Sequence, residues 1–238
     1  MFQSCSAIVL SRMKYSETGM IVRVFTDKFG MISLLIKGVR GKKSKASMFQ
    51  PFTILDVVVN LNNKKDLHYP REYSLKYNPV SLHTDIYKTS VTLFLSELIY
   101  KTLEEKDENP LLYGFLEKSI MFLDETEESI SNFHLLFMLK YSSFLGFGIE
   151  NEPGDGSYFD LEKGVFADEP VHSNFLTKEL SAVLTLLLKS NYSTMQEVKI
   201  TNAVRNELLD SIIQFYYIHN EGMRRLKSKD VLDSVFSV

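Results

Sequence analysis

A short cationic segment is the strongest chemical feature of the sequence. Five of the nine residues from position 37 to 45 are basic, none is acidic, and two are glycines. Lysine and arginine neutralise phosphates and release counterions, which gives affinity for nucleic acid with little sequence preference. The sequence therefore predicts a nucleic-acid-binding loop here, the alternative being a solvated turn. Its basic residues are Lys37, Arg40, Lys42, Lys43 and Lys45.

Other residues close to this segment in the sequence extend the predicted interface. The further cations are Arg12, Lys14, Arg23 and Lys28. Aromatic rings in such a region can stack on unpaired bases. The nearby rings are Tyr15, Phe29, Phe49 and Phe52. A place in the hydrophobic core is favoured for these rings, least clearly for Phe29, which we include in the predicted DNA-binding set.

Charge divides the chain into a basic and an acidic part. Residues 1–80 hold 13 Lys and Arg against 5 Asp and Glu, whereas residues 81–238 hold 14 against 25. Basic surfaces attract polyanions and acidic surfaces repel them. We therefore predict a nucleic-acid-binding domain over 1–80 and a second, acidic domain over 81–238.

Residues suited to catalysis or metal binding are few. The sequence lacks a glycine-rich phosphate loop, and its five histidines are scattered without metal-ligand spacing. The single cysteine, Cys5, excludes an intrachain disulfide and any zinc site built on several thiolates. We predict no catalytic residue, no metal, no cofactor and no enzymatic activity.

The first domain must position the cationic segment, and its residues favour strands. β-Branched and aromatic residues cluster between turn signals, which favours a small closed barrel of the OB-fold type. The predicted strands are Ser6–Tyr15, Met20–Thr26, Met31–Lys37, Thr53–Leu61 and Leu67–Lys76.

The second domain is predicted to be mainly α-helical, because its apolar residues recur at helical spacing. A small β-hairpin is expected at about residues 157–168, within an insertion spanning about 148–172. The predicted helices are His83–Glu105, Leu111–Leu123, Ser129–Leu145, Thr177–Lys189 and Asn202–His219.

Hydropathy predicts a cytoplasmic protein. Apolar runs stay far below the roughly 20 residues needed to cross a bilayer. The first residues do not combine a basic segment with a long apolar core, so no secretory signal is expected. We therefore predict no membrane partner.

An ordered set of short motifs resembles the bacterial RecO family of recombination mediators over nearly the whole chain. In the first domain the motifs are Ala7-Ile8-Val9-Leu10, Tyr15-Ser16-Glu17-Thr18, Val24-Phe25-Thr26, Gly30, Lys37-Gly38-Val39-Arg40, Lys43-Ser44-Lys45 and Gln50-Pro51-Phe52. In the second they are Phe133-His134-Leu135-Leu136-Phe137, Leu145-Gly146-Phe147, Tyr217-Ile218-His219 and Leu226-Lys227-Ser228-Lys229.

This resemblance implies an OB-fold barrel followed by a helical domain, and a non-catalytic role on the nucleoid. Family members bind single- and double-stranded DNA and anneal complementary strands. With RecR, and in some pathways RecF, they help to load RecA onto DNA coated by single-stranded DNA-binding protein. The family's basic positions correspond to Lys37 and Arg40, and less directly to Lys42, Lys43 and Lys45.

The resemblance also suggests a protein contact on the central helix. The family's helical domain can dock the tail of single-stranded DNA-binding protein. Phe137 would be an apolar contact for this tail and Lys140 a charge partner, the alternative for Phe137 being the hydrophobic core.

One departure from the family concerns zinc. Many members carry a four-cysteine zinc module after the Leu-Gly-Phe stretch, whereas residues 148–172 contain no cysteine here. We predict a hairpin without zinc, held by packing of Tyr158, Phe159, Val165 and Phe166.

Two other functions remain open on the residues alone. An RNA-binding OB-fold protein would use the same cationic loop and would prefer RNA through its 2′-hydroxyls. A protein-only adaptor would act through its acidic helical domain and would show no DNA binding.

Overall fold

The computed structural model forms two compact units, Met1–Glu125 and Thr126–Val238. The boundary falls about 45 residues later than the change from strands to helices, because three helices belong to the first unit. The residues described are 2–38, 46–61, 66–103, 108–149 and 157–236.

The first unit contains a six-stranded sheet with the order β5-β3-β2-β1-β4-β6. Its strands are β1 Gln3–Lys14, β2 Met20–Thr26, β3 Gly30–Ile36, β4 Ile54–Val59, β5 Leu67–His68 and β6 Pro70–Tyr77. Neighbouring strands are antiparallel except for the parallel pair β3 and β5. The α-helices described in this unit are α1 Ser81–Thr84, α2 Ile86–Thr102 and α3 Pro110–Glu125.

This sheet is curled into a half-barrel, which is consistent with an OB-fold. A bulge in β1 between Val9 and Ser11 adds curvature, and β6 approaches β3 across the curl. The predicted fifth strand is two strands, because Tyr69 separates β5 from β6. The hydrogen-bonded order therefore ends at β5 and β6 instead of continuing round the closed barrel expected from the sequence.

Alternation along the strands gives the sheet two buried faces. Side chains such as Val22, Val24 and Leu34 form the interior of the half-barrel and are fully buried. Burying each contributes roughly 1.5–3 kcal/mol. On the opposite face, the ring of Phe25 stacks on Tyr113 of α3 with centroids 6.3 Å apart. The helices therefore cover the outer side of the sheet.

Among its described residues, the second unit packs four α-helices and a two-stranded hairpin. Its elements are α4 Phe133–Phe144, β7 Tyr158–Asp160, β8 Val165–Ala167, α5 Lys178–Lys189, α6 Asn202–His219 and α7 Lys229–Phe236. Seven consecutive residues of α4, 133–139, are buried, so this helix forms the centre of the unit. Tyr216 of α6 donates a hydrogen bond from its hydroxyl to the Met138 carbonyl at 2.7 Å.

The helix α6 begins and ends as expected. The predicted helix His83–Glu105 is instead two helices, because the extended backbone of Asp85 separates α1 from α2, and α2 ends at Thr102. The predicted start of α4 at a Ser129 cap is wrong, because the helix begins at Phe133. The short helix α7 has no counterpart among the predicted elements. Among the helices described, none is long and apolar enough to cross a membrane.

Candidate nucleic-acid interface

Three of the predicted cations lie at one end of the sheet. Lys14 ends β1 and pairs with Met20 of β2, which in turn pairs with Ile36 of β3, the residue before Lys37. Lys14 and Lys37 therefore lie about two strand spacings, or 10 Å, apart. Arg12 lies two residues before Lys14 on β1, and all three side chains are exposed. We call Arg12, Lys14 and Lys37 the cationic end of the sheet.

The described residues that flank the interval 39–45 lie at the same end of the sheet. Arg40, Lys42, Lys43 and Lys45 lie outside the described residues. Gly38 follows Lys37 with a φ of +71°, a conformation that glycine adopts without strain. Where the description resumes, the Ala46 carbonyl accepts a hydrogen bond from the guanidinium of Arg12. Gly38 and Ala46, the described residues on either side of the interval, therefore lie at the cationic end.

Lys28 and Phe29 lie at the opposite end of the sheet. They occupy the turn joining β2 to β3, about 20 Å from the cationic end. The Lys28 ammonium donates to the Ser4 carbonyl at 2.8 Å, and the Phe29 ring packs against the interior of the half-barrel. The structure therefore does not join these two residues to the cationic end.

Lys28 also lines a cavity of about 870 Å³ whose charges do not suit a polyanion. Its lining includes the carboxylates of Asp27, Asp56 and Glu72 as well as the amines of Lys28 and Lys76. A surface of mixed sign with three carboxylates repels phosphates more than it attracts them.

Arg23 faces the helices. It is half-buried on β2, and its guanidinium carbon lies 4.6 Å from the ring centroid of Tyr100 on α2. This cation–π contact stabilises the packing of α2 on the sheet. Arg23 therefore acts inside the first unit in this structure.

Two tyrosines, not the buried phenylalanines, offer aromatic surface at the cationic end. Phe49 and Phe52 are 0% and 2% exposed, in agreement with the favoured core assignment, whereas Tyr15 is 58% exposed. Tyr69, which the sequence did not single out, is 53% exposed between β5 and β6. The Lys37 ammonium lies 4.9 Å from the centroid of the Tyr69 ring. Pro70 is the one local signal at this position, since proline in a sheet is confined to edge strands, to the first residue of a strand and to bulges.

Cys5 and the acidic groups do not form a reactive centre. Burial, reinforced by Asp27, raises the pKa of the Cys5 thiol to about 12, so the thiolate is not available as a nucleophile at neutral pH. Within the described ranges, no cluster of three or more histidine, cysteine and carboxylate side chains is arranged to hold a metal ion.

The predicted partner-binding residues lie on the central helix of the second unit. Phe137 is 1% exposed, and its ring packs against Tyr141 with centroids 5.7 Å apart. It belongs to the core of the unit and presents no surface to a partner in this conformation. Lys140 is half-buried.

The hairpin β7–β8 is held by aromatic packing and turn hydrogen bonds. The Phe159 ring packs on Phe166 with centroids 5.1 Å apart and on Phe215 of α6 at 5.7 Å. The carboxylate of Asp160 accepts hydrogen bonds from the backbone N–H groups of Glu162 and Lys163. The ring packing and the hydrogen bonds of the turn together stabilise the hairpin.

Comparisons with known proteins cover both halves of the chain. The family model for the N terminal part of recombination protein O matches residues 1–78, and the model for its C terminal part matches residues 83–230. A protein named DNA repair protein RecO from Azobacteroides pseudotrichonymphae is 33% identical, covering 99% of this chain and 100% of the relative. Proteins of the same name from Christiangramia forsetii and Phocaeicola vulgatus are each 35% identical, covering 97% and 100% of both chains, respectively.

Proposed function

Because this chain belongs to the RecO family of recombination proteins, we propose that it is a DNA-binding protein of DNA repair and homologous recombination. The relatives named DNA repair protein RecO support this role over the full length of the chain. The observation that supports this proposal best is the cationic end, where Arg12, Lys14 and Lys37 lie beside Gly38 and Ala46. The protein holds DNA there by neutralising phosphates and breaks no bond.

The same chemistry supports strand annealing. Two DNA strands repel each other through their phosphates, and a cationic surface that holds both lowers this repulsion so that complementary bases meet. Following the family resemblance, the protein works on the nucleoid in the cytoplasm. With RecR and, in some pathways, RecF, it helps to load RecA onto DNA coated by single-stranded DNA-binding protein.

The salt dependence of DNA binding tests the assignment of the surface. The variant with Lys37, Arg40, Lys42, Lys43 and Lys45 replaced by alanine should bind every DNA sequence more weakly. Each lost phosphate contact on single strands reduces the slope of log K against log salt by about 0.7. Fluorescence anisotropy over a salt series measures both quantities.

A matched control removes the same number and type of cations elsewhere. Lys118, Lys163, Lys178, Lys199 and Arg224 are all exposed in the structure. Their replacement by alanine should leave the slope unchanged, since they lie away from the cationic segment in the sequence. Equal affinity of the wild type and the five-alanine variant at low salt would reject the proposed surface. Tighter binding of RNA than of DNA of equal sequence would favour the RNA-binding alternative.

An annealing assay tests the recombination role. Complementary strands coated with the cognate single-stranded DNA-binding protein should anneal faster with the wild type than without it, and RecR should change this rate. The five-alanine variant should lose the acceleration. Annealing at the uncatalysed rate with the wild type, under conditions in which it binds DNA, would contradict the annealing proposal but not the DNA-binding one.

A further inference from the structure

Exposed aromatic surface at the cationic end is concentrated in two tyrosines. Tyr15 and Tyr69 are 58% and 53% exposed, although rings of this size are usually buried in large part. The other two rings considered there, Phe49 and Phe52, are in the interior. A tyrosine that remains exposed beside cations has the composition of a base-stacking surface.

The two tyrosines lie on one row across the end of the sheet. The Tyr15 N–H donates to the Gly19 carbonyl at 3.1 Å. Gly19 precedes Met20, whose partner is Ile36, so Gly19 stands across from Lys37. Lys37 reaches the Tyr69 ring, as described above. The row therefore runs from Tyr15 through Gly19 and Lys37 to Tyr69.

This order matches the repeating chemistry of a single strand. A strand alternates flat bases with phosphates, and the row alternates rings with a cation. Gly19 lies between the first ring and Lys37, buried beside Ser16, whose hydroxyl accepts a hydrogen bond from the Gly19 N–H at 2.9 Å, so the exposed groups of the row are the two rings and Lys37. When a base stacks on Tyr69, the Lys37 ammonium can move from the ring face to the phosphate of the same nucleotide.

We infer that Tyr15 and Tyr69 stack unpaired bases, so that the cationic end discriminates single-stranded from double-stranded DNA. The inference rests on the proposed DNA-binding function and adds the ligand's strandedness and the residues that read it. Phosphate contacts form with both single-stranded and double-stranded DNA, whereas a tyrosine ring can stack only on a base that is not paired with a complementary base.

Leucine substitutions test the stacking directly. Tyr15→Leu and Tyr69→Leu keep an apolar side chain but remove the aromatic face. Each should weaken binding of an oligodeoxythymidylate of about 20 nucleotides, longer than one OB-fold site, by about tenfold. Binding of a duplex with the same phosphate count should change less than about twofold, because its bases are paired. Tyr217→Leu, at a 45% exposed tyrosine of α6, is the matched control and should change neither.

Phenylalanine substitutions provide a spectroscopic readout. The chain has 12 tyrosines and no tryptophan, so its intrinsic emission comes from tyrosine. The double variant Tyr15→Phe/Tyr69→Phe should bind single strands as tightly as the wild type. It should lose part of the fluorescence quenching that single-stranded DNA causes, since two stacking fluorophores are gone. Unchanged thermal midpoints would show that all variants are folded.

The outcomes separate this inference from the proposed function. Equal losses for single strands and duplex in the leucine variants, or no loss for either, would overturn the stacking role while DNA binding stands. Unchanged quenching in the double phenylalanine variant would also overturn it. A wild type that binds neither form of DNA at low salt would reject the proposed function itself.

Discussion

At the scale of single residues, His134 couples the stability of the second unit to pH. It lies in α4 at 2% exposure, and desolvation by burial, reinforced by the positive charge of Arg205, lowers the pKa of its imidazole to about 3. In the unfolded chain the imidazole pKa is about 6.5. Between these values the unfolded state binds a proton that the folded state does not.

The sign of this linkage predicts acid sensitivity. Above the unfolded pKa both states are neutral, so His134 has no pH-dependent effect there. As the pH falls from about 6.5 towards 3, the group lowers the free energy of unfolding by up to about 1.4 kcal/mol per pH unit. His134→Gln should flatten the pH dependence over this window and move the acid-unfolding midpoint to lower pH. Urea unfolding at several pH values checks the slope, and parallel curves for both proteins would contradict it.

At the scale of elements, the buried Arg205 joins α6 to the start of α4. It is 7% exposed, and its Nε donates to the Asn132 side-chain oxygen at 3.1 Å. Its other nitrogens donate to the side-chain oxygen of Asn202 and to the Ile200 carbonyl. Burial lowers the pKa of this guanidinium from its ordinary high value. These hydrogen bonds satisfy the buried charge and fix α6 against the segment that precedes α4.

Arg205→Met should therefore destabilise the protein markedly. Methionine fills much of the volume but leaves the acceptors on Asn132 and Ile200 without their donor, at about 1–3 kcal/mol for each buried group. We expect a loss of about 2–4 kcal/mol in the free energy of unfolding, measured by urea denaturation. Arg224→Met, at an exposed arginine, is the control and should cost less than about 0.5 kcal/mol. Equal stability of the two variants would show that the Arg205 network contributes little.

Elements whose sequence patterns are local could be predicted, whereas an element fixed by long-range contacts could not. The strand β2 and the helix α6 could be predicted because their patterns are local: β-branched alternation in one, and helical periodicity with a Thr201 cap in the other. The start of α4 could not, because the Asn132 amide donates to the carbonyls of Met195 and Val198, more than 60 residues away. Tertiary contacts of this kind leave no local signal.

The candidate site shows a similar division. A cationic segment is visible in the sequence, but the contribution of each cation depends on strand register. Arg23 lies one position out of step with Val22 and Val24, so it faces α2 instead of the interior. Lys28 lies outside the cationic end because the turn that joins β2 to β3 is at the opposite end of the sheet. Tyr69 reaches the site only because β5 pairs with β3, a non-local contact.

At the scale of the whole molecule, charge asymmetry governs the approach to DNA. The chain carries a formal net charge of −3 although residues 1–80 are strongly basic. Long-range association depends on the summed field, whereas the bound state depends on the groups in contact. At about 0.01 M salt the Debye length is about 30 Å, so acidic side chains far from the contact still slow the encounter.

Neutralising acids outside the cationic end should therefore change the association rate more than the dissociation rate. Glu127→Gln/Glu128→Gln removes two exposed carboxylates that follow the end of the first unit. Stopped-flow binding of single-stranded DNA at about 0.01 M salt should show roughly twofold faster association, with little change in dissociation. Near 0.15 M, where the Debye length is about 8 Å, the gain should shrink towards zero. Lys118→Gln/Lys163→Gln should act in the opposite direction at low salt. An altered dissociation rate in the glutamine variant would instead place these carboxylates close to the bound strand.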